Sequence, residues 1–178
     1  MKKQEKLKIY YIDGEYVDYL RKWDKKVPLN KNKTRPYIGI VYKYKNQEYF
    51  APLTSPKPKH LKMNPKTIDI YKIEDGKLGI ININNMIPTP KECLIEAIPN
   101  VDDEKYKILL QKQISFINKK NNSKILIDKV YYFQKMYRKG FLDPKILNRT
   151  CNFVLLEEKC EKWIKMMNWN DTYQKRYQ

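Results

Sequence analysis

Short apolar runs separated by turn-forming residues fill the first hundred positions, a pattern that is typical of β-strands. The strongest pair is Tyr37–Tyr44 and Glu48–Leu53, which the turn residues Asn46-Gln47 would join as a hairpin. Further strands are predicted at Lys8–Ile12, Thr67–Ile73, Leu78–Ile83 and Cys93–Ile98. This half of the chain is therefore predicted to form an antiparallel sheet.

The pattern changes after Val101, where apolar residues recur at intervals of three and four, which is the period of an α-helix. Gly140 would end the second of three predicted helices, and Asn152 can cap the third. A shorter helix is predicted over Glu15–Lys25, with Tyr16, Leu20 and Trp23 on its apolar face. The positions that fit the first two helices are Tyr106, Leu109, Leu110, Gln113 and Ile117, then Leu126, Val130, Phe133 and Tyr137. The predicted inward face of the third helix is Phe153, Leu156, Cys160, Trp163 and Met167.

Strands first and helices later indicate the α+β class. A chain of 178 residues is long enough for one domain with a substantial core and too short for two comfortable ones. We therefore expect a single domain that spans residues 1–178.

The net charge of the chain limits the classes of molecule that it is expected to bind. The chain carries 37 Lys and Arg against 20 Asp and Glu, a net charge of +17, and such a field attracts nucleic acid or an anionic membrane surface. No apolar run approaches the roughly 18 to 20 residues that a spanning helix needs. The N-terminus lacks the apolar segment of a signal peptide, so a cytoplasmic location is expected. Cys93, Cys151 and Cys160 show no metal-ligand spacing, and neither a disulfide framework nor a metal site is predicted.

The chemically richest stretch follows the predicted strand Glu48–Leu53, where a loop carries Thr54, Ser55, Lys57, Lys59 and His60, the only histidine. RNA suits these groups because its own 2′-hydroxyl can attack the adjacent phosphorus, so no metal is required. The loop then needs to hold the geometry and stabilise charge on the phosphate oxygens. Lys57 could neutralise that charge while the hydroxyls of Thr54 and Ser55 donate hydrogen bonds. Thr-Ser-Pro is a common strand-to-turn sequence, and composition alone favours a simple turn over a catalytic pair. His60 is either a general acid/base or an ordinary surface residue.

Further basic residues could contact RNA phosphates. A basic loop before the strand at Tyr37 carries Lys31, Lys33 and Arg35, and Arg35 could share the neutralising role of Lys57. Lys119, Lys120 and Lys124 form a second group between two predicted helices, where they either contact RNA or simply make a polar connection. The alternatives to an enzyme are a non-catalytic basic RNA-binding module and, ranked last, an amphipathic protein of membrane surfaces.

Six blocks of the sequence form a recognisable pattern. Two of them are especially specific, L-T-S-P-K at Leu53–Lys57 and T-C-N-F-x-L-L-E-E-K at Thr150–Lys159. The others are Asp24–Pro28, Arg35–Val41, Leu78–Asn82 and Met86–Pro88. The blocks run in order through nearly the whole chain, and together they resemble the ToxN/AbiQ endoribonucleases, the protein toxins of type III toxin–antitoxin systems.

The resemblance implies a compact, strongly twisted, barrel-like antiparallel sheet similar to the Kid and MazF toxins, with peripheral helices mostly in the C-terminal half. It also implies sequence-selective, metal-independent cleavage of RNA that leaves a 2′,3′-cyclic phosphate and a 5′-hydroxyl. Ser55 would be the central functional residue, with Thr54 and Lys57 beside it and Arg35 as the basic residue before the Tyr37 strand. No cofactor is implied.

The implied partners are all RNA. The substrates would be messenger RNA and the precursor of a tandem-repeat antitoxin, which the toxin cuts into the small structured units that then inhibit it. Protein and RNA would alternate in closed hetero-oligomers, and the biological outcome would be growth arrest or abortive infection by phage.

Overall fold

The computed structural model describes residues 6–30 and 34–176, with side chains described up to residue 169. These residues form a seven-stranded antiparallel sheet. Its strands are β1 (Lys8–Ile12), β2 (Pro36–Tyr44), β3 (Gln47–Thr54), β4 (Ile70–Lys72), β5 (Ile80–Asn82), β6 (Ile87–Pro88) and β7 (Leu94–Glu96). The order across the sheet is β4-β5-β3-β2-β1-β7, and β6 pairs with another part of β3. The predicted antiparallel sheet is confirmed.

The central hairpin of β2 and β3 differs from its prediction in small ways. Its turn lies at Lys45-Asn46, one residue earlier than predicted, with Lys45 in the left-handed region at φ 50°. The register shifts between Ile38 and Tyr42, where an alanine Cβ at Gly39 would lie 2.1 Å from the ring of Phe50. The Phe50 ring thus occupies the space that a side chain at position 39 would need.

The helices are α1 (Gly14–Trp23), α2 (Pro58–Lys62), α3 (Glu104–Ile117), α4 (Lys120–Arg138), α5 (Pro144–Asn148) and α6 (Phe153–Arg176). The three long C-terminal helices confirm the change of period after Val101. Asn152 caps α6 as predicted, because its Oδ1 accepts a hydrogen bond from the backbone N–H of Leu155 at 3.1 Å. The sequence did not predict α2 and α5, which at five residues each are too short to show a helical period.

The core lies between the sheet and the C-terminal helices. Phe153 at the start of α6 is fully buried, and its ring packs edge-on against Tyr49 of β3 and Phe133 of α4, with ring centroids 5.9 Å and 6.2 Å away. Leu156 and Cys160 continue this buried face, as predicted. Two residues predicted to face inward do not: Met167 is 45% exposed and Trp23 is 51% exposed, with the Lys159 ammonium 3.5 Å from the Trp23 ring centroid.

Two of the sequence blocks described above join to fix the start of α6. The Asp24 carboxylate accepts a hydrogen bond from the backbone N–H of Asn152 at 2.7 Å, and Lys26 Nζ donates to the carbonyl of Thr150 at 2.8 Å. The backbone N–H of Cys151 donates to the carbonyl of Asn84 at 2.9 Å. These contacts hold the start of α6 against the segments that contain Asp24, Lys26 and Asn84.

The three cysteines are packing residues. All three are buried and none forms a disulfide. Burial raises the pKa of Cys93 and Cys160 to about 11 and that of Cys151 to about 12, so each thiol stays protonated and unreactive at neutral pH.

No described helix combines the length and the apolar character that crossing a bilayer would require.

Candidate active site

A cleft of about 410 Å³ crosses one end of the sheet. Because β2 and β3 are antiparallel, with Tyr37 opposite Pro52, the residues just before β2 lie beside those at the end of β3. Arg35, Thr54, Ser55 and Lys57 consequently line the same cleft. All four residues predicted to handle the phosphate are brought together, although Arg35 and Ser55 lie in different loops.

The loop after β3 is held firmly at the end where it leaves the sheet. Thr54 Oγ1 accepts a hydrogen bond from Asn82 Nδ2 at 2.9 Å, so the Thr54 hydroxyl hydrogen can still be donated to another group. Gly79 lies directly behind the same loop, where an added Cβ would be 2.0 Å from the Thr54 carbonyl oxygen. Ser55 and Lys57 are exposed. Their backbone is thus anchored while their side chains face solvent.

Arg35 is also placed by backbone contacts. Its Nε donates to the carbonyl of Leu29 at 2.7 Å, and the Asn30 carbonyl accepts hydrogen bonds from the backbone N–H groups of Thr34 and Arg35. Asn30 is itself tied to β1 through Nδ2, which donates to the Ile12 carbonyl at 3.1 Å. Among the described residues, the two terminal guanidinium nitrogens of Arg35 have no hydrogen-bond partner. They can therefore donate to a phosphate in the cleft.

The expectation that His60 is an exposed RNA-binding group or proton carrier is not supported by its position. The stretch after Lys57 forms α2 instead of an open loop, and the His60 side chain is fully buried. Its Nδ1 accepts a hydrogen bond from the backbone N–H of Lys57 at 3.2 Å, and its buried Nε2 has no hydrogen-bond partner within the described part of the chain. His60 therefore supports the backbone of Lys57 and does not contact the surface in this conformation.

The buried position of His60 predicts a pH effect on stability. Burial lowers the pKa of this imidazole below its usual 6.5, and the charges of Lys59, Lys57 and Lys72 lower it further. The unfolded chain therefore binds a proton near pH 6.5 while the folded chain does not, so the free energy of unfolding should fall as pH falls through that range. One group contributes at most about 1.4 kcal/mol per pH unit.

The pH effect can be measured by denaturant unfolding between pH 7.5 and 5.5 for the wild type and for His60→Asn, whose side-chain oxygen can still accept from Lys57. The slope of the unfolding free energy against pH should be smaller in the variant. Equal slopes would show that His60 titrates alike in the folded and unfolded chains.

The remaining basic residues predicted to bind RNA do not line this cleft. Lys59 is exposed on α2, and Lys119 lines a separate depression against α3. Lys120 is exposed on α4, where Lys124 pairs with Asp128 at 2.5 Å. Lys31 and Lys33 lie outside the described residues. A contact of any of these lysines with RNA stays a prediction.

The other side of the cleft was not predicted from the sequence. It consists of the segment after β7, with Asn100, Asp102, Asp103 and Tyr106, and Tyr11 of β1 lies between that segment and β2. Burial raises the pKa of Tyr11, and the nearby Asp102 carboxylate adds to this effect. Burial and then Tyr11 raise the pKa of Tyr106, which Arg35 partly offsets. Both phenols are therefore protonated at neutral pH.

The cleft offers cations, hydroxyls and aromatic rings, a set that suits binding of a polyanion with flat bases. Among the described residues, no group of three or more His, Cys, Asp and Glu side chains is arranged to hold a metal ion.

Comparison with known proteins finds relatives that extend through most of the chain. The family model described as "Toxin ToxN, type III toxin–antitoxin system" matches residues 8–161. The endoribonuclease ToxN of Bacillus thuringiensis subsp. kurstaki is 34% identical over 171 residues, which cover 92% of this chain and 87% of that protein.

Solved structures agree with these sequence matches. The structure of AbiQ, a lactococcal anti-phage endoribonuclease of the type III class, has a TM-score of 0.76 and 27% identity, covering 90% of this chain and 99% of that one. A second structure concerns selective toxin inhibition by a non-coding RNA pseudoknot in type III systems. It has a TM-score of 0.71 and 32% identity, covering 89% of this chain and 98% of that one.

Proposed function

The chain belongs to the ToxN family of toxins from type III toxin–antitoxin systems, and from that premise we propose that it is a sequence-selective, metal-independent endoribonuclease that cuts RNA in the cleft at the start of β2 and the end of β3. The observation that carries this proposal is the meeting of Arg35, Thr54, Ser55 and Lys57 around one cavity. The related proteins are named as endoribonucleases, which supports the same activity here.

In the proposed reaction the 2′-oxygen of one ribose bonds to the adjacent phosphorus as the bond from phosphorus to the 5′-oxygen of the next nucleotide breaks. The 2′-hydroxyl loses a proton and the departing 5′-oxygen gains one, so the products are a 2′,3′-cyclic phosphate and a 5′-hydroxyl. Negative charge grows on the non-bridging oxygens as five oxygens crowd around phosphorus. Donors that are already in place stabilise this charge without reorganising.

Each of the four side chains has a proposed part in that step. Lys57 and Arg35 neutralise the phosphate from neighbouring loops, and Arg35 can offer its two terminal nitrogens as a fork. Ser55 is exposed in the cleft and donates its hydroxyl hydrogen to a non-bridging oxygen. Thr54, whose oxygen already accepts from Asn82, donates in the same way.

Ser55→Ala tests the assignment directly. We expect cleavage of RNA by the wild type to persist in excess EDTA and to fall about 100-fold or more in Ser55→Ala, since loss of one charge-stabilising donor typically costs that much. The matched control is Ser115→Ala, which removes an exposed serine hydroxyl from α3, outside the cleft. The product ends should be identified chemically as a 2′,3′-cyclic phosphate and a 5′-hydroxyl. A substrate with a single 2′-deoxy nucleotide at the cut should resist cleavage.

The outcomes separate the possible functions. Wild-type cleavage that stops in EDTA would contradict the metal-independent route, and equal rates for Ser55→Ala and the wild type would contradict the role of Ser55. A wild type that binds RNA and never cuts it would instead support the non-catalytic binding module.

We also propose that the toxin cuts a tandem-repeat RNA precursor into single small structured units, that these units inhibit the toxin, and that toxin and RNA units assemble into closed RNA-bridged complexes. The related toxin that is selectively inhibited by an RNA pseudoknot supports this proposal, and the net charge of +17 suits an extended RNA interface. Release of the toxin would then cause growth arrest or abortive infection. Copurification of an RNA of one repeat length, lost at high salt, is the corresponding test.

A further inference from the structure

The two sides of the cleft offer opposite hydrogen-bonding chemistry. The ends of β2 and β3 supply donors, namely the Arg35 guanidinium, the Lys57 ammonium and the hydroxyl of Ser55. The segment after β7 supplies acceptors, namely the side-chain oxygen of Asn100 and the carboxylates of Asp102 and Asp103. A nucleotide has the complementary arrangement, with hydrogen-bond acceptors on its phosphate and, in three of the four bases, an amino donor on its base.

Asp102 is the acceptor that the fold itself leaves unused. Asp103 is occupied, because its carboxylate accepts from the backbone N–H of Tyr106 at 3.0 Å and so caps α3. The ion pairs and side-chain hydrogen bonds of the described residues do not include Asp102, which is exposed in the cleft. A carboxylate beside the proposed phosphate site would repel RNA unless it made a compensating contact.

We propose that Asp102 reads a base of the bound RNA by accepting a hydrogen bond from its exocyclic amino group. This inference rests on the proposed function, because it places the phosphate of the same strand against Arg35 and Lys57. Adenine, cytosine and guanine carry such an amino group and uracil does not. Asp102 therefore favours the amino-bearing bases at the nucleotide it contacts.

The surroundings of Asp102 are arranged for this contact. Asp103, which directly follows Asp102, is held in place by its capping hydrogen bond to α3. Asn100 is held in place because its Nδ2 donates to the Glu96 carbonyl at 2.8 Å. The Asn100 oxygen is thereby left as a second acceptor in the cleft. Tyr106, which is partly exposed, places an aromatic ring in the same cavity, where a base can stack while its edge contacts Asp102.

The test measures binding with strands that the enzyme cannot cut. The probes are single-stranded 2′-deoxy oligonucleotides of adenine, and matched strands in which each adenine is replaced by purine, which lacks only the amino group. The wild type should bind the adenine strand at least about fivefold more tightly. Asp102→Ala should reduce that ratio to near one, while Asp102→Asn, which keeps an acceptor oxygen, should retain part of it.

Glu104→Ala is the matched control, because it removes a neighbouring exposed carboxylate that does not line the cleft and should keep the wild-type ratio. Equal binding of both strands by the wild type would overturn the proposal. So would Asp102→Ala if it strengthened binding of both strands by the same factor, since Asp102 would then act only by repulsion. Failure of the wild type to cut RNA, with the binding ratio intact, would overturn the proposed function and leave base reading supported.

Discussion

Gly79→Ala is expected to reduce RNA cleavage about 100-fold or more by displacing the loop that carries Ser55 and Lys57. Gly79 has φ +100°, and its added Cβ would lie 2.0 Å from the carbonyl oxygen of Thr54. The neighbouring atoms are backbone, which cannot rotate away as a flexible side chain can. A displacement of about 1 Å at the reacting groups is enough for a rate loss of this size. Cleavage by equal amounts of folded wild type and variant measures the effect.

Gly140→Ala separates this steric effect from backbone strain. Gly140 also has a positive φ, at 72°, but an added Cβ there would meet no atom of residues 6–30 and 34–176 within 4 Å. The control should therefore lose only about 1–2 kcal/mol of stability and keep wild-type cleavage. If Gly79→Ala does not fold, Asn82→Ala gives a milder test, because it removes only the hydrogen bond to Thr54 Oγ1. Wild-type cleavage by both Gly79→Ala and Asn82→Ala would contradict a need for this loop position.

The central hairpin and the long helices could be predicted because their apolar periods extend over eight or more residues. The stretch after Lys57 could not, because five residues of helix leave no periodic signal. The expectation that His60 is exposed was wrong for this reason. A lone histidine in an open loop is exposed, whereas the same histidine on a short helix that packs against the turn near Gly76 is buried.

Half of the cleft was predictable from local sequence and half was not. Arg35 and Ser55 lie at facing ends of one antiparallel hairpin, so the pairing of β2 with β3 is enough to bring them together. Asp102 lies in the cleft only because β7, which it follows, pairs with β1 on the other side of the sheet. Its place depends on a strand order that the hydrophobic pattern does not contain.

The sequence blocks that carry the family resemblance have two different physical roles. Leu53–Lys57 and the start of Arg35–Val41 form the cleft, and Gly79 of Leu78–Asn82 supports it from behind. Asp24–Pro28 and Thr150–Lys159 instead hydrogen-bond with each other and hold α6 in place. In this chain, such a block can therefore stabilise the fold as well as line the cleft.

Glu157 is a charged residue that stabilises the packing of the fold. Its carboxylate pairs with Arg138 of α4 at 2.5 Å and accepts a hydrogen bond from the Tyr49 hydroxyl of β3. Both charged side chains are largely shielded from solvent, at 21% exposure for Arg138 and 13% for Glu157. One carboxylate thus joins two helices and the sheet at a site remote from the cleft.

Glu157→Gln should lower the free energy of unfolding by about 3 kcal/mol, because it leaves the shielded guanidinium of Arg138 without its counter-charge. Thermal denaturation should record this as a fall of roughly 6–12 °C in Tm. Glu158→Gln is the control on the adjacent residue, since its side chain is 52% exposed and pairs with Lys159 and Lys162. Such surface pairs contribute less than about 1 kcal/mol. At a temperature where both variants are folded, both should cut RNA at the wild-type rate. A folded Glu157→Gln variant without activity would instead show that Glu157 contributes to the cleavage reaction.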